Sequence, residues 1–316
     1  MTKALPLPLR VSAIRYVARY THAFELALPQ GGDLPDAPAG AHLGLVLPNG
    51  LMRQYSLVHG GERLKHYEIG VKLDANSAGG SRYMHESLQV GTLLPVEPPR
   101  NNFPLAEAAA HSIFFAGGIG ITPIVAMLER LAELGRPRSV FYACRNRDEL
   151  AFLPELARSC APELHVDGEH GGRVFDIAAQ IARAPRDAHL YCCGPGPMLA
   201  SFEKATASWP REQVHVEYFT AREPAALAGG FVVMLKRSGR EFQIPPGRSI
   251  LHVLREGGIE VASSCEEGVC AACETAVLDG VPDHRDSILS ESERASNCSM
   301  LICCSGSKTP RLVLDL

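Results

Sequence analysis

Six of the chain's ten cysteines fall within the 40 residues from Cys265 to Cys304, and this crowding constrains the fold more than any other feature. Cys265, Cys270 and Cys273 follow the spacing C-x4-C-x2-C, and Cys303 stands beyond 29 intervening residues. That is the plant-type spacing for a [2Fe–2S] cluster. Two irons bridged by two sulfides need four thiolates from a loop that wraps them closely. Gly268 lets the backbone approach, Ala271 and Ala272 avoid crowding, and loop N–H groups can point at the sulfurs. Zinc would want a second closely spaced pair, which is missing. A disulfide scaffold belongs in a short secreted chain, and this one has 316 residues. Cys298, Cys303 and Cys304 compete for the fourth ligand place, and spacing alone favours Cys303.

Composition narrows the remaining classes. With 46% hydrophobic and 21% charged residues the chain is globular rather than disordered. The 31 basic and 35 acidic side chains leave a net charge of −4, so a nucleic-acid partner is not expected. No apolar run approaches the roughly 18 residues of a membrane span. The amino-terminal stretch carries Lys3 and scattered polar residues without an apolar signal core, so a cytoplasmic location is expected.

Length alone predicts two domains at roughly 150 residues each, but the pattern along the chain divides into three. Short strands with turn punctuation are expected at 9–18, 23–28, 42–47, 52–58, 67–73 and 92–96, with one helix at 81–88. This spacing suggests a small antiparallel barrel. From residue 111 the period changes. Strands at 112–116, 139–143, 164–166, 189–192 and 214–218 alternate with helices at 123–134, 151–158, 174–182 and 197–207. Such alternation implies parallel βα units in a doubly wound sheet. Residues 222–230 read as a linker. A hairpin (230–236 and 240–244), a helix at 249–256 and a last strand at 312–316 frame the cysteines. The expected domains are 1–107, 108–224 and 230–316.

Two further groups of residues carry chemistry. Arg53, Tyr55 and Ser56 lie on one barrel strand, Arg53 and Tyr55 on one face and Ser56 on the other. An Arg can fork a phosphate, a Tyr can lie along a planar ring, and a hydroxyl can hydrogen-bond a ring nitrogen. Gly80 and Ser81 open the following helix, where backbone N–H groups favour phosphate. The second group is a pair of Gly-rich strand-to-helix turns, Gly117, Gly118 and Gly120 through Thr122, and Cys193-Gly194-Pro195. Neither is G-x-G-x-x-G, but both sit at carboxyl ends of parallel strands, where open α/β sheets bind ligands. Arg145 and Asp167, after the second and third strands, are candidates for the dinucleotide phosphate or ribose. Acidic residues there lean toward NADH over NADPH.

The stretches SSCEEGVCAACETAVLDGVPDHRDSILS and MLICCSGSKTPRLVLDL closely resemble the ferredoxin domain of the phthalate dioxygenase reductase and vanillate demethylase reductase family. The RxYS…GGS pair and the two glycine turns resemble the flavin and nicotinamide modules of the same superfamily. The resemblance spans essentially the whole chain and implies a flavin β-barrel, a doubly wound nicotinamide domain and an α+β β-grasp ferredoxin domain. It implies Cys303 as the fourth cluster ligand and leaves Cys304 without a role. It implies FMN, where the residues alone admit FAD. It also implies Leu57, Val71 and Lys72 as cofactor-binding residues, counts Glu217 with Tyr218 and Phe219 in the nicotinamide module, and sets Thr122 and Cys193 about the nicotinamide, with Phe219 near the flavin and shifting when the nicotinamide enters.

The resemblance implies an electron path from NADH through FMN and a [2Fe–2S] cluster to a terminal Rieske-type oxygenase, by a monomer that docks transiently. Ser56, Thr122, Cys193 and Phe219 are the residues expected nearest the reacting atoms. Glu266, Glu267, Glu274 and Asp283 give the cluster end an acidic character suited to a basic partner, although a solvated acidic face is an equal reading. A broad-acceptor NADH diaphorase and a zinc-stabilised interaction protein are the alternatives.

Overall fold

The computed structural model describes residues 5–75, 77 and 79–316; Lys3 lies outside them. The chain divides into two compact units, Met1–Glu217 and Tyr218–Leu316.

The first unit opens with β1 (Leu7–Ala18), β2 (Thr21–Ala27), β3 (His42–Val46), β4 (Met52–Ser56), β5 (His66–Lys72), the helix α1 (Gly80–Glu86) and β6 (Leu93–Val96). These six strands form one antiparallel sheet in the order β4-β3-β6-β1-β2-β5. A bridge between Leu57 and Ile69 brings the two outer strands together, which closes the barrel. Alternating side chains fill it: Leu9, Val11, Phe24, Leu26, Leu43, Leu45, Ile69 and Val96 are each wholly buried.

A second sheet in the same unit comprises β7 (Ser112–Gly117), β8 (Arg138–Cys144), β9 (Glu163–Val166), β10 (His189–Cys193) and β11 (Val214–Glu217). All pairs are parallel, in the order β11-β10-β7-β8-β9. Every residue of β7 is buried, as a strand covered on both faces requires. The helices α2 (Ile121–Glu133), α3 (Leu153–Ser159), α4 (Ile177–Ile181) and α5 (Gly196–Ala205) complete the doubly wound arrangement. The helix expected over 174–182 is shorter. It begins only after Asp176, whose side chain caps the Ala179 N–H at 3.0 Å, because Phe175 packs against the Phe115 and Phe141 rings instead.

Charged side chains stitch the two sheets of this unit together. Arg15 reaches Glu68 at 2.7 Å and Glu155 at 3.3 Å. His59 meets Glu129 at 2.8 Å, and Lys72 meets Glu149 at 2.5 Å. Desolvation lowers the His59 pKa, but its hydrogen bonds to Glu129 and Glu68 outweigh that and raise it to about 9.

The second unit contains β12 (Phe231–Leu235), β13 (Glu241–Ile244), α6 (Ile250–Glu256), β14 (Glu274–Asp279), β15 (Pro282–Asp283), α7 (Glu291–Ser296), β16 (Ser299–Leu301), β17 (Gly306–Ser307) and β18 (Arg311–Leu314). Its mixed sheet runs β13-β12-β18-β14-β16, with β12 and β18 parallel and the other pairs antiparallel. Ile250, Leu251 and Leu254 of α6 share a core with Val233, Leu235, Leu312 and Leu314, which is the expected β-grasp layering. Ser249 caps α6. The sequence reading missed β14, β16 and α7, although α7 opens on a capping box of Ser290 and Glu293 that the spacing S-x-x-E displays. The expected linker is not free along its length. Ala226 N–H donates to the Cys304 carbonyl at 2.7 Å, and Gly247 N–H donates to that of Leu227 at 2.8 Å.

Candidate functional site

Three strands of the first unit aim polar side chains at one point. Ser56 ends β4, Cys193 ends β10 and Glu217 ends β11. Cys193 and Glu217 are register partners, so sheet pairing alone sets them side by side. The Ser56 hydroxyl donates to Glu217 Oε2 at 3.5 Å, and the Cys193 thiol donates to the same oxygen at 3.7 Å. Desolvation pushes the Glu217 carboxyl up to about 8, against both hydrogen bonds, which favour its charged form. Burial also drives the Cys193 thiol well above its usual range, so it stays protonated and is no nucleophile. The cluster can therefore hold a proton near neutral pH beside a hydroxyl donor.

The two halves of the expected flavin pattern meet. Arg53 Nε lies 2.6 Å from where a Cβ on Gly80 would stand, so the Arg53 side chain crosses the start of α1 through space that the glycine leaves open. Ser81 is not the helix cap; its hydroxyl accepts from Asp74 N–H at 3.1 Å and donates to Ser77 at 3.0 Å. Tyr55 lies between Arg53 and Ser56 on β4, and burial raises its phenol to about 12, with Arg53 opposing. On β5 the Val71 carbonyl accepts from His85 Nε2 at 2.9 Å, while Lys72 is held by Glu149. Leu57 makes the barrel-closing bridge.

The two glycine turns also come together, at the point where β7 and β10 lie adjacent and the strand order reverses. A Cβ on Gly120 would strike the Cys193 carbonyl, and one on Gly194 would stand 3.1 Å from Gly117 Cα. Gly118 has φ +54, and a Cβ there would meet nothing within 4 Å. Pro195 precedes α5 as its cap residue. Thr122 is 2% exposed, its hydroxyl donating to the Ile119 carbonyl at 3.0 Å. The Arg145 carbonyl accepts the Gly168 N–H at 3.0 Å, so Arg145 and Asp167 share one strand-end edge. Glu169, the other acidic residue there, is taken by Arg147 at 2.5 Å. Phe219 belongs to the second unit and is 38% exposed.

In the second unit the cysteine sulfurs fall into two groups, Cys265 with Cys270 and Cys303 with Cys273 and Cys304. Neighbouring Cys270, together with burial, raises the Cys265 thiol; neighbouring Cys273 and Cys304 do the same to Cys303. Backbone N–H groups converge on the sulfurs. Glu267 and Val269 donate to Cys265 Sγ at 3.3 and 3.4 Å, and Cys265 and Ala272 donate to Cys270 Sγ at 3.5 Å each. Left-handed backbone at Glu266, Gly268 and Ala271 wraps the loop. Crowded thiols with N–H groups aimed at them are a donor set for anionic sulfur compensated by metal, and they fit an iron–sulfur cluster. Cys298 is exposed, its thiol donating to the Ser296 carbonyl.

Some contacts escaped the sequence reading. Gly268 makes room for Cys304, whose sulfur lies 2.5 Å from a would-be Cβ there, so Cys304 packs under the loop. Phe152 and Thr122 both crowd the Cβ position of Gly70 at 2.7 Å, and Phe152 holds a left-handed backbone. Only tertiary packing signals these. Of the acidic residues near the cysteines, Glu266 is paired with Arg255 at 2.7 Å and Asp283 with Arg285 at 3.0 Å, which weakens the acidic face.

Comparison with known proteins follows the same division. Residues 114–204 match an oxidoreductase NAD-binding domain, and residues 233–307 match a 2Fe-2S iron-sulfur cluster binding domain. The chain is 48% identical to tetrachlorobenzoquinone reductase of Sphingobium chlorophenolicum, with 98% of each chain covered. It is also 48% identical to phenoxybenzoate dioxygenase subunit beta of Ectopseudomonas oleovorans, again over 98% of each. Among solved structures, phthalate dioxygenase reductase, described as modular for electron transfer from pyridine nucleotides to [2Fe–2S], aligns at TM-score 0.74 and 38% identity over 98% of both chains.

Proposed function

The chain belongs to the phthalate dioxygenase reductase family, and on that premise we propose that it is the reductase component of a two-component Rieske oxygenase system. It is an NADH-dependent flavin and iron–sulfur oxidoreductase. The observation that carries the reading is one chain holding a parallel sheet with paired glycine turns and a loop whose backbone N–H groups aim at the Cys265 and Cys270 sulfurs. When bound, FMN would take up one hydride, two electrons with a proton, and a [2Fe–2S] cluster would carry the electrons one at a time, chemistry that no side chain here supplies.

The side chains bind, orient and tune. Arg53 and the Gly80-Ser81 backbone hold the flavin phosphate, and Tyr55, Leu57, Val71 and Lys72 line the ring. Ser56 turns its one O–H from Glu217 to the ring, and the protonated Glu217 donates to the Ser56 oxygen in its place. Gly117, Gly118, Gly120, Gly194 and Pro195 admit the dinucleotide, with Thr122 and Cys193 as walls about the nicotinamide and Arg145 and Asp167 toward its far end. Cys265, Cys270, Cys273 and Cys303 bind the cluster, and the N–H groups aimed at them lower the charge on sulfur. Three modules divide the work: 1–107 for flavin, 108–224 for nicotinamide and 230–316 for the cluster. The electron acceptor is a cytoplasmic oxygenase of the aromatic dioxygenase or O-demethylase class, met by transient docking of a monomer. Among the described residues no helix is long and apolar enough to cross a membrane.

A Cys270→Ser variant tests the path. Cytochrome c reduction should collapse, while ferricyanide reduction at the flavin largely survives; intact cytochrome c reduction would remove the cluster from the route. A second reading, direct reduction of a quinone at the flavin, is favoured by the 48% identity to tetrachlorobenzoquinone reductase. Quinone turnover undiminished in the same variant would support it.

A further inference from the structure

On the side of the cysteine loop away from solvent lies a group of buried polar atoms that the functional reading leaves unused. Asp286 is 2% exposed. Its Oδ1 accepts the N–H groups of Ile288 at 3.0 Å and Leu289 at 2.7 Å. A carboxyl oxygen carries two lone pairs, which is what two converging donors require. Oδ2 has no hydrogen-bond partner among the described residues, and neither do both ring nitrogens of His284 or Nε of Arg294. The basic groups stand back: Arg294 is 3.7 Å from Oδ1 and His284 3.8 Å from Oδ2. Arg294 instead donates to the Asp286 carbonyl.

This turn is the floor of the loop that carries Cys265 and Cys270. Ser287 N–H donates to the Gly268 carbonyl at 2.9 Å. Asp286 Cα lies 3.1 Å from where a Cβ on Gly268 would stand, on the same side as the Cys304 sulfur. A charge held there in a medium of low dielectric acts on whatever charge changes above it. Reduction of the cluster adds one electron, which NADH supplies through the flavin, so it adds one negative charge.

We infer that Asp286 is a positioning residue that, through Ser287 and Gly268, fixes the cysteine loop and, with Arg294, sets how readily the cluster takes its electron. The inference rests on the [2Fe–2S] reading above. The carboxylate opposes reduction and the guanidinium favours it.

The test is a potentiometric titration of the holoprotein, read by the electron paramagnetic resonance of the reduced cluster. Asp286→Asn keeps the acceptor for Ile288 and Leu289 but loses the charge. It should shift the equilibrium about tenfold toward the reduced cluster, which is about 59 mV for a one-electron couple. Arg294→Met should shift it about tenfold the other way. A merely structural role would lower thermal stability and leave both equilibria within twofold of the parent, and that result overturns the inference. Should Asp286→Asn fail to take up the cluster, the sign of the Arg294→Met shift decides alone: toward oxidised supports, unmoved or reversed overturns. A parent protein with no [2Fe–2S] resonance fails the functional reading itself, and the inference with it.

Discussion

In the first unit Ser56 and Glu217 meet across 161 residues of chain, whereas in the second unit three of the four expected ligand sulfurs come from the nine residues Cys265–Cys273. The first convergence is made by strand pairing: β10 and β11 set Cys193 beside Glu217 before any ligand binds. Its walls are apolar core, with Phe114, Ile124 and Leu128 wholly buried nearby in one cluster. The second is a loop without a strand or helix of its own, shaped by three left-handed residues and by N–H groups aimed at sulfur. One site is a product of the fold, and the other needs its inorganic group to be a site at all.

Removing iron should separate the two units most. With a chelator and reductant, the second unit should lose several kcal/mol of stability, by analogy with metal centres whose binding energy is folding energy. Calorimetry should then resolve an early transition for Tyr218–Leu316 while the first unit melts as before; a single unchanged transition would contradict the comparison. A smaller effect belongs to Gly120→Val. Its side chain would strike the Cys193 backbone and should cost about 1–3 kcal/mol in the first unit alone. Chemical denaturation checks it, with the cluster absorbance as the internal control.

Glu217→Gln probes the buried acid through pH. The folded pKa of about 8 lies above the carboxylate's usual 4.5, so the native state binds the proton more tightly than the unfolded chain. Stability from this group is therefore full below about 4.5 and is lost as pH rises toward and through 8. The Gln variant should flatten that decline, by about 2–4 °C in Tm or more between pH 5 and 8. An identical pH profile would mean the carboxyl is ionised throughout. Least affected should be Cys298→Ser, an exposed thiol outside the two sulfur groups. A change within about 0.5 kcal/mol and an unaltered visible spectrum are expected; loss of the cluster would make Cys298 a ligand after all.

Legibility followed the distance over which each feature is built. The barrel strands and βα units were readable because their apolar periods are local, and β7 and α2 lie where the run 112–134 places them. The helix at 174–182 came out short because Phe175 answers to the Phe115 and Phe141 rings, far away in sequence. β14 and β16 were overlooked because the cysteines claimed the segment and its strands pair only across the chain, Glu274 with Leu301. Gly268, read as letting the backbone approach the cluster, has a second neighbour. Its missing side chain admits Cys304, which the family resemblance leaves without a role.

By itself, then, the sequence determined the cysteine spacing, the glycine turns and the order of three modules, since each depends on residues a few positions apart. Tertiary structure decided that Arg53 crosses Gly80, that Cys193 and Ser56 share one carboxyl, and that Asp286 lies under the cysteine loop. Those outcomes depend on register and packing between segments that no local pattern encodes, because a side chain's field and protonation follow from its neighbours in space.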